Sequence, residues 1–360
     1  LRRLLEALPF DDLDEATDGL LVYGENYQAL RLLLERYRDQ VKCVYIDPPY
    51  NTGSDEFIYK DRYQHSSWLS LIRERLQIVR QFLSEKEGYI FVSIDDNEYA
   101  NLKTAFDLVF GPYNFVATVI WQKVFAPKNT AKYFSEDHDY ILVYARNKAH
   151  WQPYLLPRSG EAEARYNNPD NDPRGPWTSS DLTARNYYSE GQYEVASPGG
   201  KTFRPAIGTY WRVSKDKFKE LDQDNRIWWG EDGNNMPRLK RFLSEVKPGV
   251  VPQTLWKHED VGNTQEAKKE LLAVVTFKRT EDVLNTLKPT RLIRRILQIT
   301  TTSQLSTWIT DFFAGSGTTG HAVINLNRED GGRRKFILVE MGEYFDTVLL
   351  PRIAKVMYTP

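Results

Sequence analysis

Asp47-Pro48-Pro49-Tyr50 closes an apolar, β-branched run, Val41-Lys42-Cys43-Val44-Tyr45-Ile46, that has the length and composition of a buried strand. Neither proline has an N–H to give a sheet ladder, so the strand must end at Asp47. Its tip then carries a carboxylate, carbonyls without ladder partners and an aromatic ring. That set suits a flat ring bearing an amino group. Asp47 and the Pro48 carbonyl can accept both amine hydrogens while Tyr50 stacks on the ring face. The same residues would also make an ordinary strand-to-loop turn, since Asp and Pro are common turn formers.

A second set lies far downstream. Trp308 to Phe313 reads as a strand, running into Ala314-Gly315-Ser316-Gly317-Thr318-Thr319-Gly320 and a helix through about Asn327. Gly315, Gly317 and Gly320 satisfy G-x-G-x-x-G with a strand before and a helix after. Glycines let the backbone turn tightly and let a ligand lie against it. Glu340 ends the next strand, Phe336 to Glu340, where an acidic residue would hold ribose hydroxyls. By itself this loop also fits a NAD or FAD site. A Walker loop is excluded, because no Lys follows the glycines at the needed offset. A hydride-transfer enzyme has no use for the Asp47–Tyr50 tip.

Asp47-Pro48-Pro49-Tyr50 resembles the Asp-Pro-Pro-Tyr motif of S-adenosylmethionine-dependent amino-methyltransferases, chiefly DNA adenine-N6 enzymes. The order of catalytic motif, long variable region and glycine loop is similar to that family's permuted β-group. Asp311 to Thr319 looks like its cofactor loop. Where the family usually has Phe-x-Thr-Pro-Lys-Pro, this chain reads Leu284-Asn285-Thr286-Leu287-Lys288-Pro289. Asn51-Thr52-Gly53, Ile94-Asp95-Asp96-Asn97-Glu98 and Gly262 to Lys269 also look like this family, especially the Mod subunits of type III restriction–modification systems. The resemblance implies S-adenosylmethionine as cofactor, held by Asp311, Phe313, Ala314, Gly315, Ser316, Gly317, Thr318, Thr319 and Glu340, with Thr286, Lys288 and Pro289. It implies Asp47, Pro48, Pro49 and Tyr50 as the catalytic residues, no metal, and double-stranded DNA as partner. A homodimer and a restriction (helicase/nuclease) subunit are the further partners it suggests. Its N4-cytosine members lean on Ser rather than Asp at the first motif position, and glutamine methyltransferases on Asn. A NAD-binding α/β enzyme and a non-catalytic DNA-binding module are the remaining alternatives.

The elements that must position these residues follow a βαβ rhythm, hence a parallel sheet. Leu1 to Asp18 reads as an amphipathic helix and acidic turn, Leu20 to Tyr23 as a strand, and Asn26 as the N-cap of the next helix. A polar loop spans Asn51 to Gln64, and Ser66 opens a long helix. Tyr89 to Ile94 is a buried strand, Asp95-Asp96-Asn97 caps a helix to about Phe110, and Phe115–Trp121 and Asp139–Tyr144 are strands. A helix spans Thr286 to Thr300. The expected fold is a doubly wound, mostly parallel α/β sheet of Rossmann-like methyltransferase type, permuted, with an inserted target-recognition domain. Its parts are 1–150 (catalytic half), 151–280 (recognition) and 281–360 (cofactor half).

Six of the nine tryptophans lie between 151 and 280 and interleave with basic residues. From these Arg238, Lys240 and Arg241, together with Lys128 and Asn129 in the loop before His138, are the expected DNA contacts. A Trp-rich domain with its own small core is the bland alternative. A net charge of −1 means that no global basic field announces a nucleic acid, so contacts must come from local patches. One cysteine excludes a disulfide framework, and Cys43, mid-strand, reads as a buried thiol. No run spans a membrane and no leader is visible, so the cytoplasm is the expected location.

Overall fold

The computed structural model describes residues 13–51, 65–279, 283–284 and 286–359. Most of the expected N-terminal helix, the loop after Asn51 with Thr52 and Gly53, and Asn285 lie outside the described residues. Two compact units emerge, one formed by 1–154 with 251–360 and the other by 155–250.

The first unit is built on eight strands: β1 Gly19–Tyr23, β2 Val41–Ile46, β3 Tyr89–Ile94, β4 Phe115–Gln122, β5 His138–Ala145, β6 Leu255–Trp256, β7 Trp308–Asp311 and β8 Lys335–Glu340. Their spatial order is β1-β8-β7-β2-β3-β5-β4-β6. The run from β1 to β3 is parallel throughout. The β4–β5 hairpin then adds antiparallel, and β6 lies parallel to β4. Both faces are covered, and the strand alternation says by what. Val44 and Ile46 of β2, with Ile337 and Val339 of β8, join one core with the Asn26–Tyr37, His65–Phe82 and Tyr99–Phe110 helices. Cys43 turns the other way, against Thr300 of the Thr290–Thr300 helix, where burial pushes its thiol up to about 12. Phe336 and Leu338 turn that way too, onto Gly320.

Two helix starts differ from expectation. Glu25, not Asn26, caps the Asn26–Tyr37 helix, accepting from Gln28 N; Asn26 is drawn inward instead. The helix after β3 begins at Tyr99 with Glu98 at its N-cap position but no side-chain cap, because the Glu98 carboxylate is held by Asn51, His65 and Asn101 instead; Asp95 holds the Asn97 N–H and amide. No helix among the described residues is long and apolar enough to cross a membrane.

The second unit has its own core of Leu182, Val195, Trp211, Phe218, Ile227 and Trp229. Its largest sheet is antiparallel, in the order Ile227–Trp228, Arg238–Phe242, Trp177–Asp181. Its extent differs from the expected 151–280, for a local reason. Leu255 and Trp256 pair with Ile120 and Trp121 of the large sheet. Ala267 and Leu271 of the helix that follows pack on Leu287 and Val348.

Lys240 is likewise not where the sequence places it. Its side chain is fully buried, ion-paired to Asp170 and Asp172, and lies over the Trp177 ring. Hydrogen bonds from Arg174 hold the Asp172 carboxyl far below the usual range. Lys240 therefore cannot meet a phosphate. Breaking a buried pair leaves charges uncompensated, so Lys240→Met is expected to destabilise this unit by about 3–5 kcal/mol. Urea unfolding followed by tryptophan fluorescence would show the lower midpoint, and an unchanged midpoint would contradict the buried pair. Arg238 is engaged by Asp181 at 2.7 Å, and Arg241 is exposed, donating to Ser180 Oγ at 3.0 Å.

Candidate functional site

Strands β8, β7 and β2 are neighbours and parallel, so their carboxyl ends come out on one side of the sheet. Glu340 ends β8, Asp311 ends β7 and Asp47 follows β2. Three acids far apart in sequence thus stand side by side at the edge where open α/β sheets bind ligands. A single cleft is lined by all three, together with Pro48, Pro49 and Tyr50.

At the β2 tip, Asp47 Oδ2 accepts from Lys288 Nζ at 2.6 Å, while Oδ1 is buried and has no partner among the described residues. Burial pushes the Asp47 carboxyl above the ordinary range, with Lys288 opposing. The Lys288 ammonium also lies 5.1 Å from the Tyr50 ring centroid and 5.8 Å from that of Trp121. The Tyr50 hydroxyl reaches Asp139 Oδ2 at only 3.4 Å, while Lys123 holds Asp139 Oδ1 at 2.6 Å. The Pro49 carbonyl is taken by the Trp68 indole N–H at 2.8 Å. Just beyond, Asn51 sits at φ 58° with its amide on Glu98, whose buried carboxylate also holds His65 and Asn101. The tip therefore presents one orphaned carboxylate oxygen and a ring, fixed from behind. Chemically this is an acceptor for an amine beside a stacking surface.

The glycine loop's three glycines do different work. Gly315, at φ 53°, has nothing closer than the Phe313 carbonyl at 4.0 Å to where a Cβ would stand, and it lines the cleft. Gly317, at φ 82°, faces the other way: its Cβ would meet Leu349 and Ile353 at 3.3–3.4 Å. At Gly320 a Cβ would stand 2.8 Å from Ile353 and 2.9 Å from Leu338, so this glycine lets helix and sheet approach. Asp311 accepts from Phe313 N at 3.1 Å and Thr319 Oγ1 at 2.6 Å, and burial pushes its carboxyl up to about 7. Glu340 accepts the N–H groups of Gly315, Met341 and Gly342, each at 2.8 Å, and so clamps the loop. Behind it Arg352, 1% exposed, donates to Ser316 Oγ at 2.7 Å and Thr318 Oγ1 at 3.0 Å.

Of the expected cofactor residues, Asp311, Phe313, Ala314, Gly315, Ser316, Thr318, Thr319 and Glu340 line the cleft, as do Thr286 and Lys288. Gly317 and Pro289 do not. Leu284 and Leu287 line it where the family pattern has Phe and Pro. Sequence reasoning missed Gly24, Asn26 and Tyr344, which also face it. Asn26 donates to the Phe312 carbonyl at 2.9 Å and is held in turn by Arg75. A polar turn directly after β1 is the signal that could have found it. Lys128 and Asn129 are exposed on the β4–β5 loop.

Compared with known proteins, residues 41–349 match a family model described as DNA methylase. The Mod subunit of the type III restriction-modification enzyme StyLTI from Salmonella typhimurium is 35% identical over 352 residues, covering 89% of this chain and 52% of that subunit. The EcoP15I Mod subunit from Escherichia coli is 29% identical, covering 90% and 58%. The type II methyltransferase M.KpnI from Klebsiella pneumoniae is 29% identical, covering 91% and 81%. The chain thus spans little more than half the length of these type III Mod subunits.

Proposed function

Because the chain belongs to the DNA methylase family, we propose that it transfers a methyl group from S-adenosylmethionine to the N6 amine of adenine in duplex DNA, as a Mod-type component of a restriction–modification system. One observation carries this reading: the Asp47–Tyr50 tip and the Gly315 loop line the same cleft. The cofactor supplies an electrophilic methyl. Gly315, Asp311 and Glu340 would hold it in that cleft, and Asp47 with Tyr50 would take the base there.

Adenine's amine is a poor nucleophile because its lone pair is delocalised into the ring. Hydrogen bonds from the amine to Asp47 and the Pro48 carbonyl favour a pyramidal nitrogen whose lone pair points at the methyl. Aimed acceptors of this kind work by electrostatic preorganisation, and holding both ligands in line adds proximity. Tyr50 stacks on the base, which must leave the duplex to reach it. The unit 155–250 reads the sequence, and a restriction subunit and a second copy of the chain are the protein's further partners. Incubating the protein with labelled methyl donor and duplex DNA, then sequencing methylated DNA from cells expressing the chain, tests the reading. N6-methyladenine at a defined site is expected; methyl groups on cytosine, protein or RNA instead would overturn it.

Asp311 gives this reading a pH dependence. Its carboxyl is raised to about 7, so the folded ligand-free protein holds a proton that the unfolded chain loses near 3.9. Stability from this group therefore falls as pH rises from about 4 to about 7. A cationic ligand in the cleft favours the ionised form and pulls the pKa down. Cofactor binding at pH 6 is accordingly expected to release a proton, and affinity to rise with pH up to about 7. Calorimetry in buffers of different ionisation enthalpy reads the proton count directly; no release would remove Asp311 from contact with the cofactor's charge.

A further inference from the structure

The loop joining β4 to β5 carries, beside the expected DNA contacts Lys128 and Asn129, two exposed rings that no step above uses. Residues 125–134, Phe-Ala-Pro-Lys-Asn-Thr-Ala-Lys-Tyr-Phe, are all exposed and include no carboxylate. Phe134 is 90% and Tyr133 80% accessible, whereas Phe125 leans edge-on against His258. Neither Lys128 nor Lys132 meets a carboxylate among the described residues, and the Lys132 ammonium lies 5.0 Å from the Tyr133 ring centroid. The loop's base is rigid: Lys123 and Val124 donate to the Asp137 carbonyl, and Gln122 pairs with His138. The next residue, Asp139, is the one that the Tyr50 hydroxyl reaches. The loop therefore rises beside the catalytic tip.

We propose that Phe134 is a wedge that enters the base stack at the place vacated by the flipped adenine, with Tyr133 packed beside it and Lys128 and Lys132 on the flanking phosphates. This rests on the reading of the protein as a base-flipping DNA methyltransferase. Large apolar rings left in water are costly, and aromatic or aliphatic wedges between base steps are a known way of holding a distorted duplex. A base stack is the partner that fits best. It offers flat apolar faces for two rings and a phosphate backbone for two ammonium groups that meet no carboxylate among the described residues, with the loop's acids, Glu136 and Asp137, kept to its base. A protein partner would use the rings but has no evident need for the absence of acids.

The test uses the full chain and a duplex of the sequence it methylates, with 2-aminopurine at the target position. Phe134→Ala combined with Tyr133→Ala is expected to weaken duplex binding about 10- to 100-fold, in the range for lost base stacking. It should also reduce the fluorescence gain on binding, with S-adenosylmethionine affinity unchanged and Phe134→Trp restoring most of the signal. Lys128→Ala should flatten the salt dependence of binding by roughly one phosphate contact. Full binding and full fluorescence gain in the double alanine variant would overturn the wedge. So would a change in self-association with DNA affinity unaltered, which would assign the rings to a second copy. If the unmodified chain methylates no duplex, the underlying reading fails and the wedge with it.

Discussion

Asp47→Ala is expected to lower methyl transfer by about 10²–10³, the usual cost of one preorganised acceptor, and to destabilise the protein at the same time. The second effect comes from Lys288, which is buried and ion-paired to Asp47 at 2.6 Å. Taking Asp47 away leaves a buried ammonium without its carboxylate partner. Breaking such pairs costs about 3–5 kcal/mol, and the lower end applies here because a fifth of the Asp47 side chain remains open to the cleft. Asp47→Ala with Lys288→Met should recover stability but none of the rate. Single-turnover methylation and thermal unfolding on the same preparations separate the two effects. A single variant that methylates at full rate would remove Asp47 from the amine; a double variant no more stable than the single would mean that Asp47 does not hold Lys288. Tyr50→Phe should keep most of the activity, since the hydroxyl's contact with Asp139 is long, whereas Tyr50→Ala loses about 1–3 kcal/mol of base stacking.

Gly315→Val is expected to abolish S-adenosylmethionine binding in a folded protein, and Gly317→Val to damage the fold instead. Both positions have positive φ, so either substitution strains the backbone by about 1–3 kcal/mol. Their surroundings separate them. A side chain at 315 would occupy the open space of the cleft; one at 317 would press on Leu349 and Ile353 and add the cost of overpacking, about 1–3 kcal/mol more. Calorimetric titration and a thermal melt of each variant decide the matter. Tight cofactor binding by folded Gly315→Val would place the ligand away from this loop.

The parts legible in the sequence were those written in local rules. Two prolines ended β2, glycine spacing marked the turn after β7, and apolar runs marked the central strands within a residue or two. What was illegible depends on partners distant in the chain. Lys288 and Asp47 are 241 residues apart, and nothing in either neighbourhood announces their pairing. Lys240 sits in a basic run that reads as a DNA contact, yet Asp170 and Asp172 draw it inside. The glycines at 315 and 317 look equivalent in a motif, and only the Leu349 and Ile353 side chains make them different. The limit of the inserted unit was missed because Leu255 and Trp256 make a strand too short to read, visible only beside Ile120 and Trp121.

The strand order also sets a timetable for assembly. β2 has β7 as one of its two neighbours, and β1 has β8 as its only one among the described residues, although β7 and β8 come more than two hundred residues later. During synthesis β2, β3, β5 and β4 can associate early, but β2 waits with one edge unpaired and β1 waits with no sheet at all. Non-local pairing of this kind is slow, and a bare strand edge is a template for association with other chains. The ribosome thus releases the glycine loop and the missing edge together. Until residues 308–340 have emerged, the growing chain is without its glycine loop and is at its most vulnerable to misassembly.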